Sequence, residues 1–304
     1  MTLQILVDGL IAGAMIGLGA IGITLTYSIL RFANFAHGEL ISWGAYLALA
    51  ASSAIGFMST TLSTPLAPFS FGWSLPLGTL VAILLTALLA LVVDAVLFGP
   101  LRRRRGAVII LVMASFGAAL TLRSLLEFVF TSAPRYFTQD LQIAIRLGGG
   151  ARATPDQMLV LAVAAVVVLG VHLLLTRSSI GRSMRAVSEN QQLAAVAGID
   201  VRGIVRIVWI LGAALACIAG VMAGLLVQIR PQMGLDLLLP LFAAAILGGI
   251  GSVPGAMLAG LIVGIGEALT VRFIGAEWRA ALSFVVLVAI LLVRPQGIFG
   301  KAER

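Results

Sequence analysis

The sequence predicts an all-α fold, a polytopic bundle of about eight to ten transmembrane helices in one domain that covers residues 1–304. Hydrophobic residues make up 61% of the chain, and its mean hydropathy is +1.12. Charged residues make up only 11%, against about 25% in an ordinary soluble domain. So little polar surface could not cover the apolar remainder in water, and the expected solvent is therefore lipid. The apolar runs are far longer than the ~10-residue alternating segments of an outer-membrane barrel, which excludes that class.

Nine apolar runs follow one another along the chain. They cover residues 3–30, 39–58, 75–98, 107–130, 157–175, 204–228, 237–250, 256–271 and 280–293. The Gly/Pro-rich stretch 248–255 separates the seventh run from the eighth, and both are short. These two are expected either as full crossings or as broken helices. Residues 1–8 contain no basic residue, so no cleaved signal peptide is expected and the first run is read as a retained helix.

The basic residues predict the orientation of the bundle. Nineteen of the twenty are arginine, and the formal net charge is +8. They cluster at 102–105, at 176–206 and from Arg294 onward, which the positive-inside rule places in the cytoplasm. The N-terminus is then outside and the C-terminus is cytoplasmic. Because membrane orientation accounts for the arginines, no nucleic-acid partner is predicted.

The residues needed for several common chemistries are missing. The only lysine, Lys301, is followed by Ala302, so the chain has no phosphate loop of the G-x-x-x-x-G-K-[ST] type. Cys217 is the only cysteine, and the two histidines, His37 and His172, lie far apart in sequence. We therefore predict a protein that is not an enzyme and that binds no metal or cofactor of its own.

Polar residues inside apolar runs are costly and need an explanation. Asn34, His37, Gly38 and Glu39 form the densest group, between the first two runs. They fit a capped turn and a polar lining of a transport path or gate equally well. Glu267 stands nearly alone in its run, where it could line a central cavity or pair with another helix.

Charge and glycine spacing predict contacts between helices. Arg123 and Glu127 are four residues apart and are expected to form a structural ion pair, and Asp94 is expected to pair with the arginine run that follows it. Small residues four apart allow close approach of helices in lipid. This spacing occurs at Gly9, Gly13 and Gly17, at Gly220 and Gly224, and at Gly260 and Gly264.

The hydrophilic stretch 176–203 predicts a short amphipathic helix in a cytoplasmic loop. Ser188 is its expected N-cap, with Gln191 as the partner in a capping box, and Gly198 is its expected end. Its apolar face is expected to consist of Leu193, Val196 and Ala197. Such a helix is suited to docking in a groove of another protein, and the alternative is a solvated linker.

Four segments in order resemble the permease family of branched-chain amino acid ABC importers, the LivH type. The first is 27–39, which ends in N-F-A-H-G-E; the others are 185–201, 246–256 and 292–300. Where the family often has aspartate in the second segment, this chain has Glu189. The resemblance covers essentially the whole chain.

The resemblance implies an ABC importer permease fold in a bacterial inner membrane, and transport of branched-chain or related amino acids by ATPase-driven alternating access. It implies four further partners: a second homologous permease, two cytoplasmic ATPases that bind the ATP, and a periplasmic substrate-binding protein. The residues it places in the ATPase-coupling loop are Arg185, Ser188, Glu189, Asn190, Leu193, Ala194 and Gly198. The alternative is an autonomous secondary transporter or channel for a small polar solute, suggested by the interrupted region 237–271 and Glu267.

Overall fold

The computed structural model describes residues 2–104, 106–138, 142–148, 150–294 and 296–299. Of the residues discussed above, Lys301 and Ala302 lie outside the described residues, as does Arg105 of the 102–105 cluster. The described chain is a helical bundle with one short β-hairpin.

The helices are α1 (Thr2–Leu30), α2 (Ala36–Met58), α3 (Thr60–Ser63), α4 (Ser74–Val93), α5 (Gly99–Arg103), α6 (Val108–Phe130), α7 (Pro155–Arg177), α8 (Ser179–Glu189), α9 (Gln191–Val196), α10 (Val201–Leu226), α11 (Met233–Gly248), α12 (Val253–Phe273) and α13 (Arg279–Val293). A π-helical stretch, Asp94–Phe98, joins α4 to α5, and a 3₁₀ turn, Ala276–Trp278, precedes α13. The strands are β1 (Ile145–Gly148) and β2 (Ala151–Ala153), which pair antiparallel.

Eight of the described helices are long and apolar enough to cross a membrane, which confirms the predicted class. They are α1, α2, α4 continued through α5, α6, α7, α10, α12 and α13 with its preceding turn. The ninth apolar helix, α11, has only 16 residues. Apolar side chains point outward from the peripheral helices, as at Leu84, Val166 and Phe284, which is where lipid would contact them.

The two ends of the bundle differ in structure. One end holds the C-terminus of α1, residues 178–200 and the turn 249–252, and we call it the Arg31 end. The other holds the strands and the start of α1, and we call it the hairpin end. There the side chain of Gln4 accepts a hydrogen bond from the backbone N–H of Arg152 at 2.8 Å and donates one to its carbonyl oxygen at 3.1 Å.

Glycines bring α1 and α12 into backbone contact; their spacing predicts close packing, and the structure supplies the partner. A methyl group at Gly13 would lie 2.6 Å from Cα of Leu261, and one at Gly260 would lie 2.5 Å from the backbone nitrogen of Gly17. Gly9 would likewise meet the backbone of Ile265. Any side chain at these positions would push the helices apart. We call this contact the α1–α12 seam.

The turn 249–252 at the Arg31 end is held from two directions. The backbone N–H of Ile298 donates to the carbonyl of Leu247 at 2.8 Å, which returns the C-terminal segment to the end of α11. The backbone N–H of Gly251 donates to Oγ1 of Thr24 in α1 at 2.7 Å. Gly249 and Gly251 have φ values of 91° and 88°, which side chains rarely adopt, and glycine therefore suits this turn.

Candidate functional site

The predicted amphipathic loop is two helices, α8 and α9, rather than one. The chain breaks at Asn190, whose backbone is extended and whose Oδ1 accepts hydrogen bonds from the N–H groups of Gln192 at 2.9 Å and Leu193 at 3.0 Å. Asn190 is therefore the N-cap. We call residues 178–200 the coupling segment.

Ser188 was the wrong choice of N-cap. It lies in the last turn of α8, and its hydroxyl donates to the carbonyl of Arg185 at 2.8 Å. A serine inside a helix bonds back to the preceding turn, which leaves the capping position to the asparagine two residues later.

The helix α8 is anchored to the bundle by its apolar face. Met184 and Val187 are buried, whereas Arg182 and Arg185 are exposed. The hydroxyl of Ser178 caps the helix by accepting from the N–H of Gly181 at 2.9 Å, and the guanidinium of Arg185 donates to the carbonyl of Leu175. The start of the coupling segment is therefore fixed to the end of α7.

The helix α9 buries one small residue and exposes large apolar ones. Ala194 is 4% exposed, but Leu193 is 67% and Val196 is 86% exposed. Gly198 ends the helix with φ of 84°, as the sequence predicts, and the N–H of Ile199 donates to the carbonyl of Ala194 at 3.0 Å. Leu193 and Val196, three residues apart, therefore form a small exposed apolar face on α9.

The second group of predicted residues lies at the start of α2, which begins inside the bundle. The first turn, from Ala36 to Glu39, is buried, and Oδ1 of Asn34 accepts from the N–H of Ala36 at 3.1 Å. The ring of His37 packs on Gly22, where a methyl group would lie 2.7 Å from Cε1. Gly22 precedes the end of α1 at Leu30 by eight residues, which is about 12 Å along a helix. Asn34 thus stabilises the turn before α2, and this turn lies in the interior, although the N-cap residue itself, Phe35, makes no side-chain cap hydrogen bond.

The start of α11 meets the start of α2. A methyl group at Gly38 would lie 2.6 Å from the carbonyl oxygen of Gly234. The hydroxyl of Ser42 donates to the carbonyl of Pro231 at 3.1 Å and accepts from the N–H of Gly234 at 2.9 Å. Two helix N-termini therefore face each other in the interior, and we call this contact the α2–α11 junction.

The helix break inside the bundle lies at a different place from the predicted one. The stretch 248–255 contains an ordinary turn at the Arg31 end, and α12 is a continuous 21-residue helix. The interruption inside the bundle lies at 227–232, before α11. Ile229 makes two backbone hydrogen bonds with Arg135 at the hairpin end, and the chain then enters the interior.

Charged residues surround the junction in a pairing that differs from the predicted one. Arg123 forms its ion pair with Glu39, which is 2% exposed. The carboxylate of Glu127 instead accepts from Nε2 of Gln232 at 3.1 Å. The predicted Arg123–Glu127 pair was therefore wrong. A pair four apart on one helix is worth only about 0.2–0.5 kcal/mol, whereas an unpaired buried carboxylate costs several times more.

Two other predicted charges have partners on neighbouring elements. Glu267 accepts from the hydroxyl of Ser283 at 2.9 Å and lies 3.5 Å from Nε of Arg279, so it pairs with α13. Asp94 pairs with Arg102 at 2.7 Å, as predicted.

Sequence reasoning missed three polar residues at the junction: Ser42, Ser115 and Gln232. The hydroxyl of Ser115 in α6 accepts from the N–H of Phe35 at 3.2 Å. Each of the two serines lies inside an apolar run. Because a polar group is costly there, their position in the sequence could have identified them as candidates.

Two cavities, of about 400 and 410 Å³, lie towards the hairpin end beside the second half of α2. Ser53 and Tyr136 line both. Neither is lined by Asn34, His37, Gly38 or Glu39, so the role of these four as a path or gate stays a prediction.

The family and the curated relatives that this chain matches cover nearly all of it. The family described as "Branched-chain amino acid transport system / permease component" matches residues 5–291. The "High-affinity branched-chain amino acid transport system permease protein BraD" of Pseudomonas aeruginosa is 33% identical over 99% of this chain and 96% of its own length. The protein of the same description named LivH, from Escherichia coli strain K12, is 31% identical over the same shares. Among solved structures, "PsaBC from Streptococcus pneumoniae in complex with Fab" matches with a TM-score of 0.49 and 14% identity over 96% of this chain and 92% of that chain, which supports no functional conclusion. The chain is a multi-pass membrane protein, and it belongs to the permease component family of branched-chain amino acid transport systems.

Proposed function

We propose that this chain is the membrane-spanning permease subunit of an ATP-driven importer for branched-chain or related amino acids. The observation that carries the proposal is the exposed apolar pair Leu193 and Val196 on α9, in a chain whose relatives are named as permease proteins of such transport systems. A permease needs a surface through which a separate ATPase can move it, and α9 offers that surface.

The partners follow from the same division of labour. Two cytoplasmic ATPases bind the ATP, and one of them receives α9 of this chain. A second, homologous permease completes the path, and a binding protein delivers the substrate at the hairpin end. This chain contributes no Walker lysine, because its single lysine is not followed by serine or threonine.

The distribution of arginine supports a cytoplasmic location for the Arg31 end. Ten described arginines lie at that end and six at the hairpin end. The ten are Arg31, Arg102, Arg103, Arg104, Arg177, Arg182, Arg185, Arg202, Arg206 and Arg294; the six are Arg135, Arg146, Arg152, Arg230, Arg272 and Arg279. By the positive-inside rule, the N-terminus is outside and the C-terminus is cytoplasmic.

The α2–α11 junction is the proposed gate. Two helix N-termini meet there through Gly38 and Gly234, so the contact is between backbones. The side chain that bonds across it is Ser42 of α2, which donates to the carbonyl of Pro231 and accepts from the N–H of Gly234. A small movement of α2 against α11 would change the contacts of Asn34, His37 and Glu39, which is how alternating access could open a path.

The test compares two substitutions on α9 in the complete complex. Leu193→Arg places a charge in the proposed ATPase contact, and Gln192→Arg places the same charge on a neighbouring exposed residue of the same helix. Loss of a contact residue at the centre of an interface costs about 2 kcal/mol or more. We expect Leu193→Arg to lose co-purification with the ATPases and ATP-dependent uptake, while Gln192→Arg keeps both. Equal behaviour of the two variants would contradict the proposal.

The second candidate function is an autonomous secondary transporter. The observation that favours it is the meeting of two interior helix N-termini, since interrupted helices form ion and substrate sites in such proteins. It predicts uptake by this chain alone, driven by an ion gradient. Uptake that needs the ATPases would exclude it.

A further inference from the structure

Three hydrogen bonds join the end of α1 to the break in the coupling segment. The guanidinium of Arg31 donates to the carbonyl of Ser188 at 3.1 Å and to that of Glu189 at 2.9 Å. Nε2 of Gln191 donates to the carbonyl of Ile29 at 2.6 Å. These residues are more than 155 positions apart in sequence, so the contact is made by the fold alone.

Each of these bonds uses a carbonyl that a helix leaves without a partner. The last four carbonyls of a helix have no intrahelical donor. Ser188 and Glu189 are the last two residues of α8, and Ile29 is the next-to-last residue of α1. The positive charge of Arg31 also complements the negative end of the α8 dipole. The two helix ends are therefore fastened to each other by side chains.

The backbone of Arg31 is held in an unusual conformation. Its φ is 56°, in the left-handed region that residues other than glycine, asparagine and aspartate rarely adopt. The side chain is exposed, whereas its neighbours Leu30 and Phe32 are buried at 8% and 1%. Strain of this kind persists where the surrounding structure enforces it, and it concentrates at switches and functional contacts.

From this fastening, contacts run along α1 to the proposed gate. Gly22 of α1 packs on His37 beside the α2–α11 junction, and Thr24 holds the turn that ends α11. The α1–α12 seam makes α1 move together with α12. A displacement of the coupling segment therefore reaches both partners of the junction through one helix.

We propose that Arg31 and Gln191 are positioning residues that transmit movement of the coupling segment to α1 and through it to the α2–α11 junction. This inference rests on the proposed function and adds to it the route by which ATPase movement enters the membrane domain. Neither residue lies on the apolar surface of α9 that is proposed to bind the ATPase.

The experiment uses the complete complex in proteoliposomes: this chain, its second permease, both ATPases and the binding protein. The variants are Arg31→Ala, Gln191→Ala and the double variant. The matched control is Arg104→Ala, an exposed arginine at the same end for which the described residues include no side-chain partner. For each, co-purification of the ATPases, the rate of ATP hydrolysis and the amount of leucine taken up per ATP are measured.

We expect all variants to keep the ATPases and to hydrolyse ATP. Uptake per ATP should fall about 2- to 30-fold in Arg31→Ala and Gln191→Ala, the range found for residues that couple distant sites. The fold decrease in uptake per ATP should be smaller in the double variant than the product of the fold decreases in the two single variants, because both residues join the same two helix ends. Arg31→Lys should recover part of the loss, and Arg104→Ala should match the unaltered complex.

Unchanged uptake per ATP in both single variants would overturn the inference, and so would loss of ATPase binding in both. If Arg31→Ala fails to fold, Gln191→Ala decides, because it leaves the strained residue unaltered. The two proposals fail in different ways: if the unaltered complex shows no ATP-dependent uptake, the proposed function is wrong, whereas normal uptake by the variants overturns only the transmission route.

Discussion

The α1–α12 seam and the α2–α11 junction are both contacts of glycine with backbone, but their surroundings differ. The seam is lined by apolar residues and leaves no room for a methyl group. The junction is surrounded by buried polar atoms, several of which lack a hydrogen-bond partner among the described residues. These atoms are Nδ2 of Asn34, both ring nitrogens of His37, Oε2 of Glu39 and Nε of Arg123. The backbone of Gly19 is close to the His37 ring, yet no hydrogen bond of normal geometry forms there.

This difference distinguishes a contact with one stable arrangement, the seam, from a contact whose unpaired polar groups favour a second arrangement, the junction. A seam without polar groups is stable in one close-packed arrangement. Unpaired polar groups in a low-dielectric interior raise the energy of the arrangement that leaves them unpaired. The seam therefore holds α1 and α12 as one body, and the junction is where a second arrangement could supply the missing partners.

The largest expected effect is at the charged pair beside the junction. Arg123→Met leaves Glu39 buried and uncompensated, which should lower the free energy of unfolding by about 3–5 kcal/mol. The double variant Glu39→Leu with Arg123→Met should recover most of that loss, because it removes both charges. Thermal unfolding in detergent measures both.

Glu127→Gln is the control for this pair. It keeps an oxygen that can accept from Gln232 and should cost about 1 kcal/mol or less. A loss in Glu127→Gln as large as that in Arg123→Met would mean that Arg123 depends on Glu127 after all.

The next effect distinguishes the seam from an open glycine. Gly13→Ala places a methyl group against the backbone of α12 and should cost about 1–3 kcal/mol, as overpacking usually does. Uptake per folded complex should stay unchanged, because the seam moves as one body. Gly170→Ala, where nothing lies within 4 Å, should keep full stability. Equal stability of the two variants would contradict the tight seam.

Gly38→Ala tests the junction with the same added methyl group. The stability loss should be similar, about 1–3 kcal/mol. Here, however, uptake per folded complex should also fall, because the methyl group would obstruct movement of α2 against α11. Uptake measured against the amount of folded complex separates the two effects. If Gly38→Ala and Gly13→Ala keep the same uptake per folded complex, the junction is no more mobile than the seam.

The smallest effect lies outside both contacts. Thr154 caps α7 in a capping box with Gln157: its hydroxyl accepts from the N–H of Gln157 at 3.3 Å, and its own N–H donates to Oε1 of Gln157 at 2.9 Å. Thr154→Ala should cost about 0.5–2 kcal/mol in thermal stability and leave uptake unaltered. Altered uptake at equal folded amount would show that the hairpin end takes part in gating.

The sequence predicted features that depend on composition and local pattern. The helical bundle follows from hydropathy, close packing of α1 and α12 against some other helix from glycine spacing, and the end of α9 from Gly198. Features that depend on distant contacts were missed. Arg123 forms its ion pair with Glu39, which is 84 residues away, and not with Glu127 on its own helix. The hydroxyl of Ser42 donates a hydrogen bond to the carbonyl of Pro231, which is 189 residues away.

The N-cap of α9 was also mispredicted because it depends on contacts outside its own segment. Ser188 and Asn190 both suit an N-cap, and the choice depends on where α8 ends. That end is set by Met184 and Val187, which pack on the bundle, and by the hydrogen bonds that Arg31 donates to the last two carbonyls of α8. Neither contact can be read from the segment itself.

The most direct test of the central claim is uptake of radiolabelled leucine by proteoliposomes that contain the complete complex, measured with and without ATP supplied to the ATPases. The same uptake is measured in proteoliposomes that contain this chain alone. The account predicts uptake that requires ATP, the ATPases and the binding protein, and that is lost in Leu193→Arg. Uptake by this chain alone, indifferent to ATP, would contradict it.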